Sequence, residues 1–202
     1  MNQWIITPDK YLKDEEVKRL MKTCEENAEL ARAYSNWIAI RDYMIIDFAL
    51  NTGLRVQEIS DLKTEDLNIQ YGESSLVVQH GKGDKKRVVR FSKNLKAHIK
   101  QYLAERKDNS PFLFSSSRGE QLTRSALQKI FKARAREAGL PEHYSIHSLR
   151  HTFATRLYRA SGYNLRLVQK ELGHSNIQTT TVYSDVSNDE VEKALERLDE
   201  DS

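Results

Sequence analysis

The sequence predicts a mainly α chain of the α+β class, with one small three-stranded antiparallel sheet set among helices. Three observations predict it. Apolar residues recur at three- and four-residue spacing over most of the 202 positions. That spacing gives way once to alternation, between Leu67 and Phe91. Glycines stand where the patterns break, at Gly53, Gly81, Gly83, Gly139 and Gly173.

In chain order, Val17, Leu20, Met21 and Cys24 mark a first helix, and the lone Cys24 on this stripe reads as core. Trp37, Ile40, Met44, Ile45 and Phe48 mark a second, ending near Asn51-Thr52-Gly53, and a short third follows over about Arg55 to Leu62. Leu67, Ile69 and Tyr71, then Leu76-Val77-Val78, then Arg87 to Phe91 read as three strands. Gly81-Lys82-Gly83-Asp84 turns the second into the third and puts Lys82 at a hairpin tip. Helical spacing returns with Leu95, Ile99, Tyr102 and Leu103, and with Leu127, Ile130 and Phe131 after Thr123, whose hydroxyl suits an N-cap; this helix stops at Gly139-Leu140-Pro141. One helix carries Leu149, Phe153 and Leu157, another Leu165, Val168 and Leu172 before Gly173, and a short one runs from about Asn176 to Tyr183. The last begins with the capping box Ser187 and Glu190 and presents Val191, Leu195 and Leu198 as a thin apolar stripe that needs a partner.

Hydrophobic residues at 39% and charged residues at 30% argue for a folded, soluble core. No apolar run approaches the ~18 residues of a membrane span, and Met1-Asn2-Gln3-Trp4 opens no signal segment, so a cytoplasmic protein is expected. The net charge of +3 hides an asymmetry. From His80 to Lys100 eight lysines and arginines face only Asp84, whereas Asp185 to Asp201 holds eight acids against Lys193 and Arg197. Charge alone leaves open whether the basic stretch is a polyanion surface or a plain solvated face.

The densest chemistry is His147-Ser148-Leu149-Arg150-His151. On a helix, His147, Arg150 and His151 share one side, while Leu149 and Phe153 turn to the core. Two histidines four apart can hold zinc, but Ser148 stands where a metalloprotease has glutamate and Arg150 would set a permanent cation beside the metal. Leu172-Gly173-His174 ends a helix, and Tyr183 follows His174 by nine residues, which would put the two on opposite faces of one helix. A helix break at Gly173-His174-Ser175-Asn176 is therefore needed if they are to converge. Arg55 and Glu58 alone read as an ordinary i, i+3 ion pair, His151 alone as a structural histidine and Tyr183 alone as a core tyrosine.

Taken in order, these pieces resemble the tyrosine recombinase or phage integrase family. The matching stretches are Thr52-Gly53-Leu54-Arg55-Val56-Gln57-Glu58-Ile59, Gly81-Lys82-Gly83-Asp84-Lys85-Lys86-Arg87, His147-Ser148-Leu149-Arg150-His151-Thr152-Phe153-Ala154-Thr155, Leu172-Gly173-His174 and Tyr183. The resemblance runs from about Val17 to Leu198 and implies a helical, integrase-like catalytic domain. It implies site-specific DNA recombination through a 3′-phosphotyrosine bond, with no cofactor, no metal and no ATP. Tyr183 is then the nucleophile, His147 its general base, Lys82 the general acid, and Arg55, Arg150 and His174 the groups on the phosphate. Glu58 orients Arg55 or Lys82, and His151 is a supporting hydrogen-bonding group. Lys85, Lys86, Arg87, Arg118, Thr123 and Arg124 are candidate DNA contacts.

By the same resemblance, the partner is double-stranded DNA, and the protein is a monomer free in solution and a homo-tetramer on DNA, bound to the nucleoid, with room for accessory DNA-bending factors. Residues 1–12 read as an N-terminal arm or linker remnant, 13–186 as the catalytic domain, and 187–202 as a C-terminal helix and tail docking on a neighbouring protomer. Most members carry a further helical DNA-binding domain ahead of the catalytic one, for which about a dozen residues leave no room; an excised catalytic domain or a compact member is expected. The rival readings are a type IB topoisomerase-like activity, a non-catalytic DNA-binding regulator on the same fold and a metal-dependent hydrolase.

Overall fold

A computed structural model of the chain describes residues 8–34, 36–70, 72–79 and 86–173. Asp14–Ala33 forms α1, whose buried stripe is Val17, Leu20, Cys24, Ala28 and Ala31. Cys24 is core, as its spacing predicts, and burial pushes its thiol up to about 12. Trp37–Thr52 forms α2, which buries Ile40, Met44, Ile45, Ile46, Phe48, Ala49 and Leu50 around most of its circumference. A helix apolar on nearly every side belongs at the centre, and α1, α4 (Lys93–Glu105), α5 (Arg124–Glu137) and α6 (Ile146–Ala160) all pack on α2. Its buried polar groups are partnered: Arg41 bonds Asp42 and the Ser115 carbonyl, and Asp47 accepts from Asn51 and meets His98 Nδ1 at 2.8 Å.

Val56–Asp61 forms α3, one residue shorter at each end than the spacing predicts. Arg55 is extended and serves as its N-cap, and Glu58 reaches back to accept from the Arg55 backbone N–H at 2.8 Å. The sheet has the predicted three antiparallel strands, β1 Leu67–Asn68, β2 Ser75–Val78 and β3 Arg87–Arg90, in that order. β1 is shorter than the alternation through Tyr71 suggests. A turn from Gln70 to Glu73, with Gly72 at φ +86°, carries the chain from β1 into β2, so the pairing ends at Asn68 opposite Ser75. In the β2–β3 ladder Val78 faces Arg87, so the connection from Gln79 to Lys86 closes the hairpin. Its residues 80–85, including the expected turn and Lys82, lie outside the described residues.

Thr123 caps α5 by accepting from Ala126 N at 3.1 Å, and the helix ends before Gly139, at φ +63°. The start of α6 is tied to α5 where Gln128 Oε1 accepts from Ile146 N at 3.0 Å. Leu165–Leu172 forms α7, which packs Val168 and Leu172 against Ala154, Phe153, Leu157 and Tyr158 of α6. The expected helix over 176–183 and the one opening at Ser187 lie outside the described residues. Among the described residues, no helix is long and apolar enough to cross a membrane.

Candidate active site

Two helix ends meet at Arg150. α2 stops at Gly53 (φ +60°) and α7 at Gly173 (φ +64°), both left-handed caps that glycine enters without steric cost. Arg150, one turn into α6 and buried, donates from Nη1 to the Gly53 carbonyl and from Nη2 to the Leu172 carbonyl, the latter at 2.9 Å. A cation at two helix C-termini faces the negative ends of both dipoles, and each carbonyl is one that the helix leaves unpaired.

Two residues beyond Gly53, Arg55 donates from Nη1 to Glu58 Oε1 at 2.9 Å. Arg87 grips the same carboxylate from β3, Nη1 on Oε1 at 2.7 Å and Nη2 on Oε2 at 2.8 Å. With the Arg55 backbone N–H on Oε2, Glu58 accepts four hydrogen bonds. A carboxylate offers about four acceptor sites, so Glu58 is filled. Burial alone would raise its carboxyl, but the bonds from Arg87 and the Arg55 backbone, with both guanidinium charges, hold it down at about 2.

The stem of Arg87 lies against Gly173, where an added Cβ would come within 2.7 Å of Cδ and Nε. The contacts therefore close into a ring: Arg150 to Gly53, along the chain to Arg55, to Glu58, to Arg87, to Gly173, and through the Leu172 carbonyl back to Arg150. Arg55, Arg87 and Arg150 against Glu58 leave this ring with two net positive charges, a setting for a phosphate anion. Arg55 Nε and Nη2 make no hydrogen bond among the described residues, and its side chain is 32% exposed.

His147 is exposed one turn ahead of Arg150, and burial of part of its ring, then the Arg150 charge, lowers its pKa. His151 is more enclosed. Burial, then the charges of Arg150, His147 and Lys10, push it down to about 4, so the ring is neutral at physiological pH. Its Nδ1 is buried with no hydrogen-bond partner among the described residues.

The ring thus joins three of the expected site residues, Arg55, Glu58 and Arg150, to Arg87 and to the backbone of Leu172 and Gly173, and His147 lies one helical turn from Arg150. Lys82, His174 and Tyr183 lie outside the described residues, as does Lys85. Of the expected DNA contacts, Lys86, Arg118, Thr123 and Arg124 are exposed. The last three sit on a segment held to α3, where Ser60 Oγ donates to the Leu122 carbonyl at 2.6 Å. Arg87 departs from the expectation: it is 16% exposed and committed to Glu58, because its side chain points to the sheet face of Val89 rather than to solvent. Strand alternation carries that signal, since Arg87 and Val89 are two apart while Val88, between them, is 52% exposed. Among the described residues no three His, Cys, Asp or Glu side chains are grouped to hold a metal ion.

A family profile described as the phage integrase family matches residues 10–190. Tyrosine recombinase XerA of Pyrococcus furiosus is 37% identical over 194 residues, covering 95% of this chain and 62% of that protein. Tyrosine recombinase XerD of Listeria innocua is 35% identical over 185 residues, 88% of this chain and 58% of the relative. The chain thus spans about three-fifths of the length of these relatives. Among solved structures, XerA recombinase superposes with a TM-score of 0.74 at 27% identity, covering 93% of this chain and 64% of the other. XerH site-specific recombinase, bound to its difH substrate before cleavage, gives 0.74 at 29% identity, covering 92% and 53%. With a profile match over nearly all its length, the chain belongs to the phage integrase family.

Proposed function

We propose that this chain carries the catalytic part of a site-specific DNA recombinase that cuts and rejoins strands through a 3′-phosphotyrosine intermediate. The observation that carries the reading is the closed ring in which Arg150 joins two glycine-capped helix ends and one charge-saturated glutamate ties Arg55 to Arg87. Forked cations suit the non-bridging oxygens of a phosphodiester, whose charge grows as the phosphorus is attacked. In this scheme Tyr183 Oη attacks phosphorus, His147 takes its proton, His174 adds a donor to the phosphate, and the 5′-oxygen leaves with a proton from Lys82. The new ester keeps the phosphodiester energy, so a 5′-hydroxyl can reverse the step without ATP, and no metal takes part. A tyrosine, with a pKa near ~10, needs help to ionise at neutral pH; the lowered pKa of His147 supports a neutral ring able to accept that proton.

The relatives' names and the DNA in the XerH complex support double-stranded DNA as the substrate here. The exposed Lys86, Arg118 and Arg124, with Lys85 beside them in sequence, are the contacts we assign to its backbone. The protein is then cytoplasmic, and four copies assemble on two duplexes, each lending the helix after Ser187 to a neighbour.

The test is covalent trapping. The protein is incubated with supercoiled plasmid bearing the genomic DNA that flanks its own coding sequence, in chelator and without ATP, and quenched with detergent. A protein–DNA adduct or relaxed plasmid that vanishes in Tyr183→Phe is the expected result. DNA binding without adduct on either intact or nicked duplex would instead favour a non-catalytic regulator. Relaxation without exchange between two duplexes would favour a topoisomerase.

A further inference from the structure

We infer that Arg87 is a positioning residue for strand cleavage: it locks Glu58, and through it Arg55, to β3 and to the backbone just before His174. The inference rests on the proposed cleavage reaction and extends it to a residue outside the catalytic set. Its ground is the filled carboxylate. Glu58 has no acceptor site left for Lys82 once Arg55 and Arg87 have taken theirs, so the hairpin that carries Lys82 is fastened to the Arg55 helix through Arg87 instead.

Three features distinguish this from a surface ion pair. Both partners are enclosed, at 16% and 5% exposure. The pairing is bidentate, a geometry that an ammonium group cannot reproduce. Finally, the Arg87 stem occupies the space where any side chain at position 173 would begin, and its Nε is buried there without a hydrogen-bond partner among the described residues. Arg87 therefore sets the distance between α3 and the end of α7, and with it the separation of Arg55 from the chain entering His174. A misplacement of about 1 Å in such a site can cost about 10²-fold in rate.

The experiment compares wild type with Arg87→Ala, Arg87→Lys, Glu58→Gln and the Arg87→Ala/Glu58→Gln pair. Single-turnover adduct formation is measured at saturating DNA, alongside DNA affinity at several salt concentrations. The expected result is a loss of about 10²-fold in cleavage rate for Arg87→Ala, little rescue by lysine, and DNA affinity within about threefold with an unchanged salt slope. In the Glu58→Gln background, removing Arg87 should cost little more. Weakened binding with a slope shallower by about 0.9, at unchanged saturated rate, would make Arg87 a phosphate contact and overturn the inference. So would additive losses in the pair.

A second measurement needs no activity. Hydrogen exchange of the Arg55 backbone amide, which Glu58 holds, should speed up in DNA-free Arg87→Ala, or in Arg87→Lys if alanine prevents folding. Unchanged protection would refute the positioning role. Absence of a wild-type adduct refutes the cleavage reaction instead, leaving the exchange result to decide on Arg87.

Discussion

Gly53 meets two demands at once. Its φ of +60° ends α2, and an added Cβ would lie 2.8 Å from Phe153 Cε1 and closer still to Cδ1, in the ring of the neighbouring helix. Its carbonyl also receives Arg150. Left-handed backbone costs an L-residue about 1–2 kcal/mol and overpacking another 1–3 kcal/mol. Gly53→Ala should therefore destabilise the fold by about 2–5 kcal/mol in urea denaturation and depress adduct formation by displacing Arg150; a variant as stable and as active as wild type would contradict this reading. Gly53 is visible in sequence as a helix stop. That Phe153 and Arg150 both converge on it is not visible, because those contacts join residues about a hundred positions apart. A shorter gap of 29 positions likewise conceals the hold of Arg87 on Glu58, though the alternation of Arg87 with Val89 marks the face on which it lies.

Elements were legible where local chemistry decides them. Helix ends at Gly53, Gly139 and Gly173 follow from left-handed caps, and the start of α5 follows from the Thr123 hydroxyl. β1 was less legible because the alternation of Leu67 and Ile69, both buried, runs on past the last paired residue, and the Gln70–Glu73 turn rather than side-chain pattern ends the pairing. Helix α3 is short because Arg55 stays extended to let Glu58 close back on its N–H, so an apparent i, i+3 surface pair is also the cap. Thr123 unites two expectations, since it caps α5 and stands exposed among the basic residues Arg118 and Arg124. Thr123→Ala should cost about 1 kcal/mol of stability and, if the hydroxyl also reaches a phosphate, weaken DNA binding at every sequence alike. Loss of neither stability nor affinity would show that the cap contributes nothing.

The fold as a whole should be acid-labile in two overlapping windows. The folded chain keeps His151 unprotonated down to about 4, whereas the unfolded chain takes up the proton near 6.5, so stability falls as pH drops across that interval. Glu58 stays ionised to about 2 against an ordinary 4.5, so its contribution is complete above 4.5 and is lost as pH falls toward 2. Each shift corresponds to at most about 3 kcal/mol. Urea denaturation at pH 7 and pH 4.5 should show His151→Gln losing less stability over that step than wild type; equal losses would mean that His151 titrates normally. Glu58 is itself a member of the arginine ring, so acid that protonates it should loosen the ring along with the fold. The measurement that decides most is mass-spectrometric mapping of the adduct trapped on a nicked duplex, with the DNA end identified. A 3′-phosphate esterified to Tyr183, beside a free 5′-hydroxyl, is the predicted result. Attachment through a 5′-phosphate, attachment to any other residue, or an adduct that survives Tyr183→Phe would contradict it.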